Sequence, residues 1–191
     1  EEEIEAITTA VLSFNTNKVG EPLLAHLNDP DNYKKGHRLL KQYNCQGCHL
    51  VQNRGGQLID VIGAPEYAPP NLNTQGRKVN PDWLLSFFNN PGIIRPNLQV
   101  KMPSFHQIPD DDWDAIIAYF KHVDNEKISY RSNLVVDEKS IDFKAGAKLH
   151  EFGQCNSCHF YGEEFPTGDA PTWAPNLAMT KERLNPDWVR E

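Results

Sequence analysis

Cys45-Gln46-Gly47-Cys48-His49 is one of two such stretches in the chain, and Cys155-Asn156-Ser157-Cys158-His159 is the other. Both read C-x-x-C-H, and together they use all four cysteines of the 191 residues. The spacing has a chemical meaning. Two thiols about one helical turn apart can each add to one vinyl group of a porphyrin, and the histidine that follows then lies under the iron. The rival uses of paired cysteines fit less well. A disulfide explains neither histidine. A zinc site of two C-x-x-C pairs takes four thiolates and asks for no histidine after both second cysteines. A thioredoxin-like pair wants one C-x-x-C in a βαβ setting, which is not visible here. The motifs therefore predict two covalent haem c groups, held through Cys45, Cys48, Cys155 and Cys158, with His49 and His159 on the irons. Haem c is attached on the outer side of an energised membrane, so the expected location is periplasmic or otherwise extracytoplasmic.

Composition narrows the class. Hydrophobic residues make up 39% and aromatics 10% of the chain, enough for one or two small cores. The net charge of −7 argues against nucleic acid as a partner, since that would need a basic footprint. It favours redox partners, a donor and an acceptor, with basic docking patches. No apolar run approaches the roughly 20 residues that span a bilayer, which leaves room for association with a membrane complex. The chain opens Glu1-Glu2-Glu3, without the basic and apolar regions of a secretion signal.

The flanks of the two motifs match as well. The motifs are 110 residues apart (155 minus 45), and Gly36-His37-Arg38-Leu39 aligns with Gly146-Ala147-Lys148-Leu149 at that offset. Downstream, Ala68-Pro69-Pro70-Asn71-Leu72 matches Ala174-Pro175-Asn176-Leu177, and Asn80-Pro81-Asp82-Trp83 matches Asn185-Pro186-Asp187-Trp188 at an offset of 105. The second copy is thus five residues shorter after its histidine, where the first holds Gly55, Gly56 and Gly63. A third likeness joins Glu1 to Ile7 with Asp110 to Ile116 at an offset of 109. Ile4, Ile7, Val11 and Phe14 recur at helical spacing.

These periodicities predict a mostly helical chain, with helices near 32–44, 81–90, 110–123, 142–153 and from 186 onward. Asn80 and Asn185 read as N-caps, each followed by a proline at the first helical position. The expected organisation is a closing helix of a preceding, absent repeat over 1–17, a first haem domain over 30–124, a linker over 125–140, and a second haem domain over 141–191 that is incomplete at its C-terminus. On this reading the chain is part of a longer array, and Glu1 to Phe14 lies away from the second haem and exposes its stripe Ile4, Ile7, Val11 and Phe14, or buries it against another chain; the alternative is that this helix folds onto the second domain in place of a missing closing helix.

The residues resemble the class I cytochrome c family, over one whole copy at about 32–124 and the front of another at about 141–191. The marks are Gly36 ahead of C-x-x-C-H, Pro70-Asn71-Leu72, Met102-Pro103, and a closing helix with Tyr119. The resemblance implies an all-α fold of tandem class I cytochrome c-like haem domains with long loops. It implies that Gly36 lets the closing helix cross closely under Tyr119 or Phe120. It implies that the carbonyl of Pro70 accepts a hydrogen bond from His49, and that of Pro175 from His159, which orients the ring and raises its basicity. It implies Met102 as the second axial ligand of the first iron, with His106 a weaker rival. Leu72, Leu177, Trp83 and Trp188 are expected to pack on haem. Arg77 and Lys78 read as a solvated loop, with haem propionates as their alternative partners.

The second copy departs from this pattern. Met102 shifted by 105 falls at 207, beyond the chain, and Met179 aligns with Thr74 and reads as a packing residue. His150 and His122 are weaker substitutes, so the sixth ligand of the second haem stays open. The expected function is electron transfer, as a relay or carrier rather than an enzyme. A haem enzyme or gas sensor of the dihaem-peroxidase kind, using the second iron as an open site, is the first alternative. An electron-entry domain of a larger oxidoreductase is the second.

Overall fold

The computed structural model describes residues 2–13, 31–95, 97–98, 100–124 and 136–189. Most of the linker expected at 125–140, and Phe14 of the N-terminal stripe, lie outside the described residues. In chain order the helices are α1 (Glu2–Ser13), α2 (Asn32–Gln42), α3 (Cys45–Cys48), α4 (Gln57–Ile62), α5 (Gln75–Lys78), α6 (Pro81–Asn89), α7 (Asp110–Val123), α8 (Ile141–Phe152), α9 (Thr180–Arg183) and α10 (Pro186–Val189). Two short antiparallel strands, β1 (Leu50–Val51) and β2 (Arg54–Gly55), are the only sheet among the described residues. The chain divides into two compact units, Pro22–Ser129 and a second made of Glu1–Glu21 with Tyr130–Glu191.

In the unit from Pro22 to Ser129, α2 crosses α7 and carries the chain into the first motif. Gly36 sets the crossing. A Cβ built there would fall on the carbonyl oxygen of Ala115, and it would meet Tyr119 Cβ at 2.9 Å. Of the two aromatic candidates, Tyr119 is thus the one over the glycine. Its ring stacks on His37 and its hydroxyl lies 3.0 Å from Gln52 Oε1. Leu39 and Leu40 are buried on the inner side of α2. On α7 every residue from Trp113 to Lys121 is buried. Phe88 of α6 stacks on Trp113 with ring centres 4.0 Å apart, and Phe105 meets the same indole edge-on at 5.9 Å. Asn80 caps α6 as its sequence predicts, accepting from the backbone N–H groups of Asp82 and Trp83. Asp110, Asp111 and Asp112 stand at the positive end of the α7 dipole, and Asp112 also pairs with Lys35 at 2.7 Å.

The second unit repeats the crossing with other partners. Here α8 leads into the second motif, capped by Ser140, whose hydroxyl accepts from the N–H of Phe143. A Cβ on Gly146 would fall on the carbonyl oxygen of Ala6, and it would meet Ala10 Cβ at 3.0 Å. Ala6 and Ala10 are the residues that align with Ala115 and Tyr119, so α1 crosses α8 as α7 crosses α2. This corrects the expectation that the N-terminal helix lies away from the unit of the second C-x-x-C-H motif. Small side chains on α1 allow the approach: Ala6, Thr8, Ala10 and Val11 are buried. The apolar stripe is exposed in part, as expected at Ile4 and Ile7 but not at Val11, which is buried. Ile4 and Ile7 point outward and are 49% and 36% exposed.

Candidate haem sites

Each motif is entered through a residue in the left-handed region, Asn44 at φ 53° and Gln154 at φ 51°. This residue follows the C-cap of the preceding helix and is the N-cap of the turn that carries the first cysteine. Asparagine tolerates the conformation well, glutamine less so, and no sequence signal marks Gln154. Cys45 and Cys48 then lie one turn apart on α3, and Cys155 to Ser157 forms a 3₁₀ turn. None of the four thiols is in a disulfide. Burial pushes the Cys45 thiol up to about 11.

The histidines are held alike. His49 Nδ1 lies 2.8 Å from the carbonyl oxygen of Pro70, and His159 Nδ1 lies 2.7 Å from that of Pro175. These are the partners that the resemblance implies. A carbonyl can only accept, so Nδ1 carries the proton in both rings and the lone pair is on Nε2. Burial lowers the basicity of His49, against a smaller opposing effect of the Pro70 hydrogen bond, which keeps its ring neutral. A neutral imidazole with Nε2 open is the form that binds a metal.

The loops that deliver the prolines return in the same way. The N–H of Leu72 donates to the carbonyl of Leu50 at 2.9 Å, and that of Leu177 to the carbonyl of Phe160 at 2.9 Å. The five-residue difference is absorbed between these fixed points. The first copy fills the span with β1, β2 and α4, whereas the second makes a tight turn bridged between Tyr161 and Glu164.

Leu72, Leu177 and Trp188 are half-buried, and so is Trp83, which stacks on Phe87 within α6. Met102 is half-buried in the segment between α6 and α7, and His106 is exposed. Met179 is half-buried at the end of a 3₁₀ turn. His122 stacks on Tyr33 at 3.7 Å. His150 packs edge-on against Tyr161, and its basicity is lowered by burial and then by neighbouring His159. Arg77 and Lys78 belong to α5 rather than to a solvated loop, and both are half-buried. Gly76 beside them is pressed against the backbone of Phe120. Asp124, just past the end of α7, accepts from the N–H of Gly76 at 2.7 Å and of Arg77 at 3.1 Å. Neither Asp124 nor this clamp is marked by any motif. A further unmarked residue is Arg95, whose guanidinium donates to the carbonyl of Ala68 at 3.3 Å.

Among the described residues no three histidine, cysteine or acidic side chains gather as a metal cluster, which the zinc alternative would require. The same thiols and the open Nε2 atoms suit a covalently attached haem. A family model described as cytochrome c oxidase, cbb3-type, subunit III matches residues 31–120. No curated protein and no solved structure matches the chain. The match supports a c-type cytochrome domain over residues 31–120, the kind of unit that transfers electrons through a covalently held haem.

Proposed function

We propose that the chain holds two c-type haems, one in each unit, and relays electrons between extracytoplasmic redox partners. The observation that carries this reading is the repeated histidine geometry: an Nδ1–H given to a proline carbonyl at 2.8 Å and at 2.7 Å, each beside two thiols of a C-x-x-C pair. When bound, haem supplies an iron that takes up and releases one electron. The protein's own residues do the rest. Cys45 with Cys48, and Cys155 with Cys158, tether the rings. His49 and His159 present Nε2, and Pro70 and Pro175 fix the tautomer and the ring angle. Met102 is the proposed second ligand in the first unit, and a filled site of this kind favours a relatively high potential. Leu72, Trp83, Leu177 and Trp188 are proposed to wall the haems from water.

A second reading draws on the family match. The chain would then serve as an electron-entry domain of a larger, membrane-associated oxidoreductase. The description of the matched family names an oxidase subunit, and among the described residues no helix is long and apolar enough to cross a membrane.

Intact-mass measurement tests the proposal. The polypeptide plus two haems, resistant to acid-acetone extraction, is expected, and one haem or extractable haem would sink it. The oxidised protein should also show the weak red-edge band of sulfur ligation, and Met102→Ala should abolish it. Survival of the band would assign the ligand elsewhere. Carbon monoxide binding at one haem of the reduced protein would mark the second iron as open and favour the enzyme or sensor alternative.

A further inference from the structure

Phe152 and Phe165 are 88% and 66% exposed, and both border the second C-x-x-C-H turn. Phe152 ends α8, and a Cβ on the glycine after it would lie 3.6 Å from Cys155 Sγ. Phe165 lies on the loop that is bonded back onto the turn. There the N–H of Thr167 donates to the carbonyl of Asn156 at 3.1 Å, and that of Gly168 to the carbonyl of Ser157 at 2.9 Å. The Phe165 ring meets Phe160 and Trp173 edge-on, at 5.3 and 5.6 Å, which holds it in place with its outer side in solvent. Single exposed apolar side chains need no explanation, but two aromatics beside one proposed haem attachment turn make a patch. On the same segments stand Glu151, Glu163, Glu164 and Asp169, all exposed, and none is in an ion pair among the described residues.

The first unit puts other residues at the same places. Lys41 and Gln42 align with Glu151 and Phe152, and both are exposed. The N–H of Gly56 donates to the carbonyl of Gln46 as that of Thr167 does to Asn156, which sets Arg54 where the second unit has Phe165. The contrast extends beyond the turns. Residues 31–124 hold ten basic and nine acidic side chains, whereas residues 2–13 with 136–189 hold five basic and twelve acidic ones. The acidic excess of the described residues thus belongs to the second unit. Protein interfaces favour aromatics at their centre, and complementary charges steer the encounter. We propose that the surface round the second C-x-x-C-H turn docks a redox protein whose own face sets lysines or arginines about an apolar centre. The partner's apolar centre seats on Phe152 and Phe165, and its cations face Glu151, Glu163, Glu164 and Asp169. One electron then passes between the partner's redox centre and the second haem iron, one being oxidised as the other is reduced. The first turn, with Lys41 and Arg54, repels this partner.

This rests on the haem reading above, and the test separates the two. Intact mass first counts the covalent haems. The probe is a lysine-rich cytochrome c with zinc in place of its iron, and the rate at which the oxidised chain quenches its photoexcited triplet is followed against ionic strength. At low salt, Glu151→Lys with Glu163→Lys should slow quenching about tenfold, and the loss should fade as salt is added. Phe152→Gln with Phe165→Gln should slow it at every ionic strength. Lys41→Glu with Arg54→Glu, in the first unit, should not slow it. Carbodiimide cross-links mapped by mass spectrometry should join probe lysines to Glu151, Glu163, Glu164 or Asp169. Cross-links confined to other carboxylates, such as Asp110, Asp111 and Asp112, overturn the proposal, as does an equal slowing by the first-unit variants. A dimer in sedimentation that Phe152→Gln with Phe165→Gln dissolves gives the face to a second copy and overturns it too. With two haems counted, each of these outcomes leaves the functional reading standing. A second motif without haem overturns the functional reading and this proposal with it.

Discussion

Trp113 and Ile4 occupy the same place on two helices that make the same crossing, yet Trp113 is 1% exposed and Ile4 is 49% exposed. The next turn repeats the contrast, with Ile116 at 1% and Ile7 at 36%. The glycine contacts are nearly identical, so the crossing itself does not explain the difference. The cause is what lies on the far side of the helix. Phe88 of α6 and Phe105 beyond Met102 cover Trp113 on α7, whereas Ile4 faces outward from α1. Two layers of packing can therefore be told apart. A glycine and a small residue fix how the closing helix meets the helix ahead of C-x-x-C-H. The segment that carries the methionine then buries the other face.

The largest effect expected from this comparison is at Trp113. Trp113→Ala should cost about 3–5 kcal/mol of stability, as large aromatic truncations in cores do. Ile4→Ala should stay within about 0.5 kcal/mol, as exposed substitutions do. Denaturant titration of both variants measures the pair, and similar losses would mean that Ile4 is buried in solution.

The glycines come next. Gly36→Ala and Gly146→Ala each place a methyl on a facing carbonyl, and each should cost about 1–3 kcal/mol by overpacking. Hydrogen exchange localises the loss, to α2 and α7 in one variant and to α1 and α8 in the other. If Gly146→Ala leaves the protection of α1 unchanged, the crossing of α1 on α8 is not formed in solution.

The smallest effect is at the caps. Asn80 and Asn185 both accept from backbone N–H groups of the following helix, and the alanine variants should each lose about 1 kcal/mol. Asn80 is 3% exposed, so water cannot replace its side chain, and it should be the costlier of the two. Equal costs on thermal melting would show that α10 is as well covered as α6.

The proposed chemistry is legible in the sequence because attachment of haem is a local requirement. Two thiols and a histidine must stand at fixed spacing, and the prolines and cap asparagines announce themselves by type. Helix positions followed from periodicity, to within about two residues at their ends. The offset of 109 also likened Glu1 to Ile7 to the start of α7 from residues alone. Only the tertiary structure decided that α1 crosses α8, because the alternatives share one sequence pattern and differ solely in the surface that receives it. It also decided that α1 buries its alanines and not its isoleucines, since close approach to a glycine selects for small side chains over apolar ones. The Asp124 clamp and the half-buried charge of Arg95 belong to the same class. Each depends on backbone groups 47 or 48 and 27 residues away in the chain, and no local spacing encodes a partner at that distance.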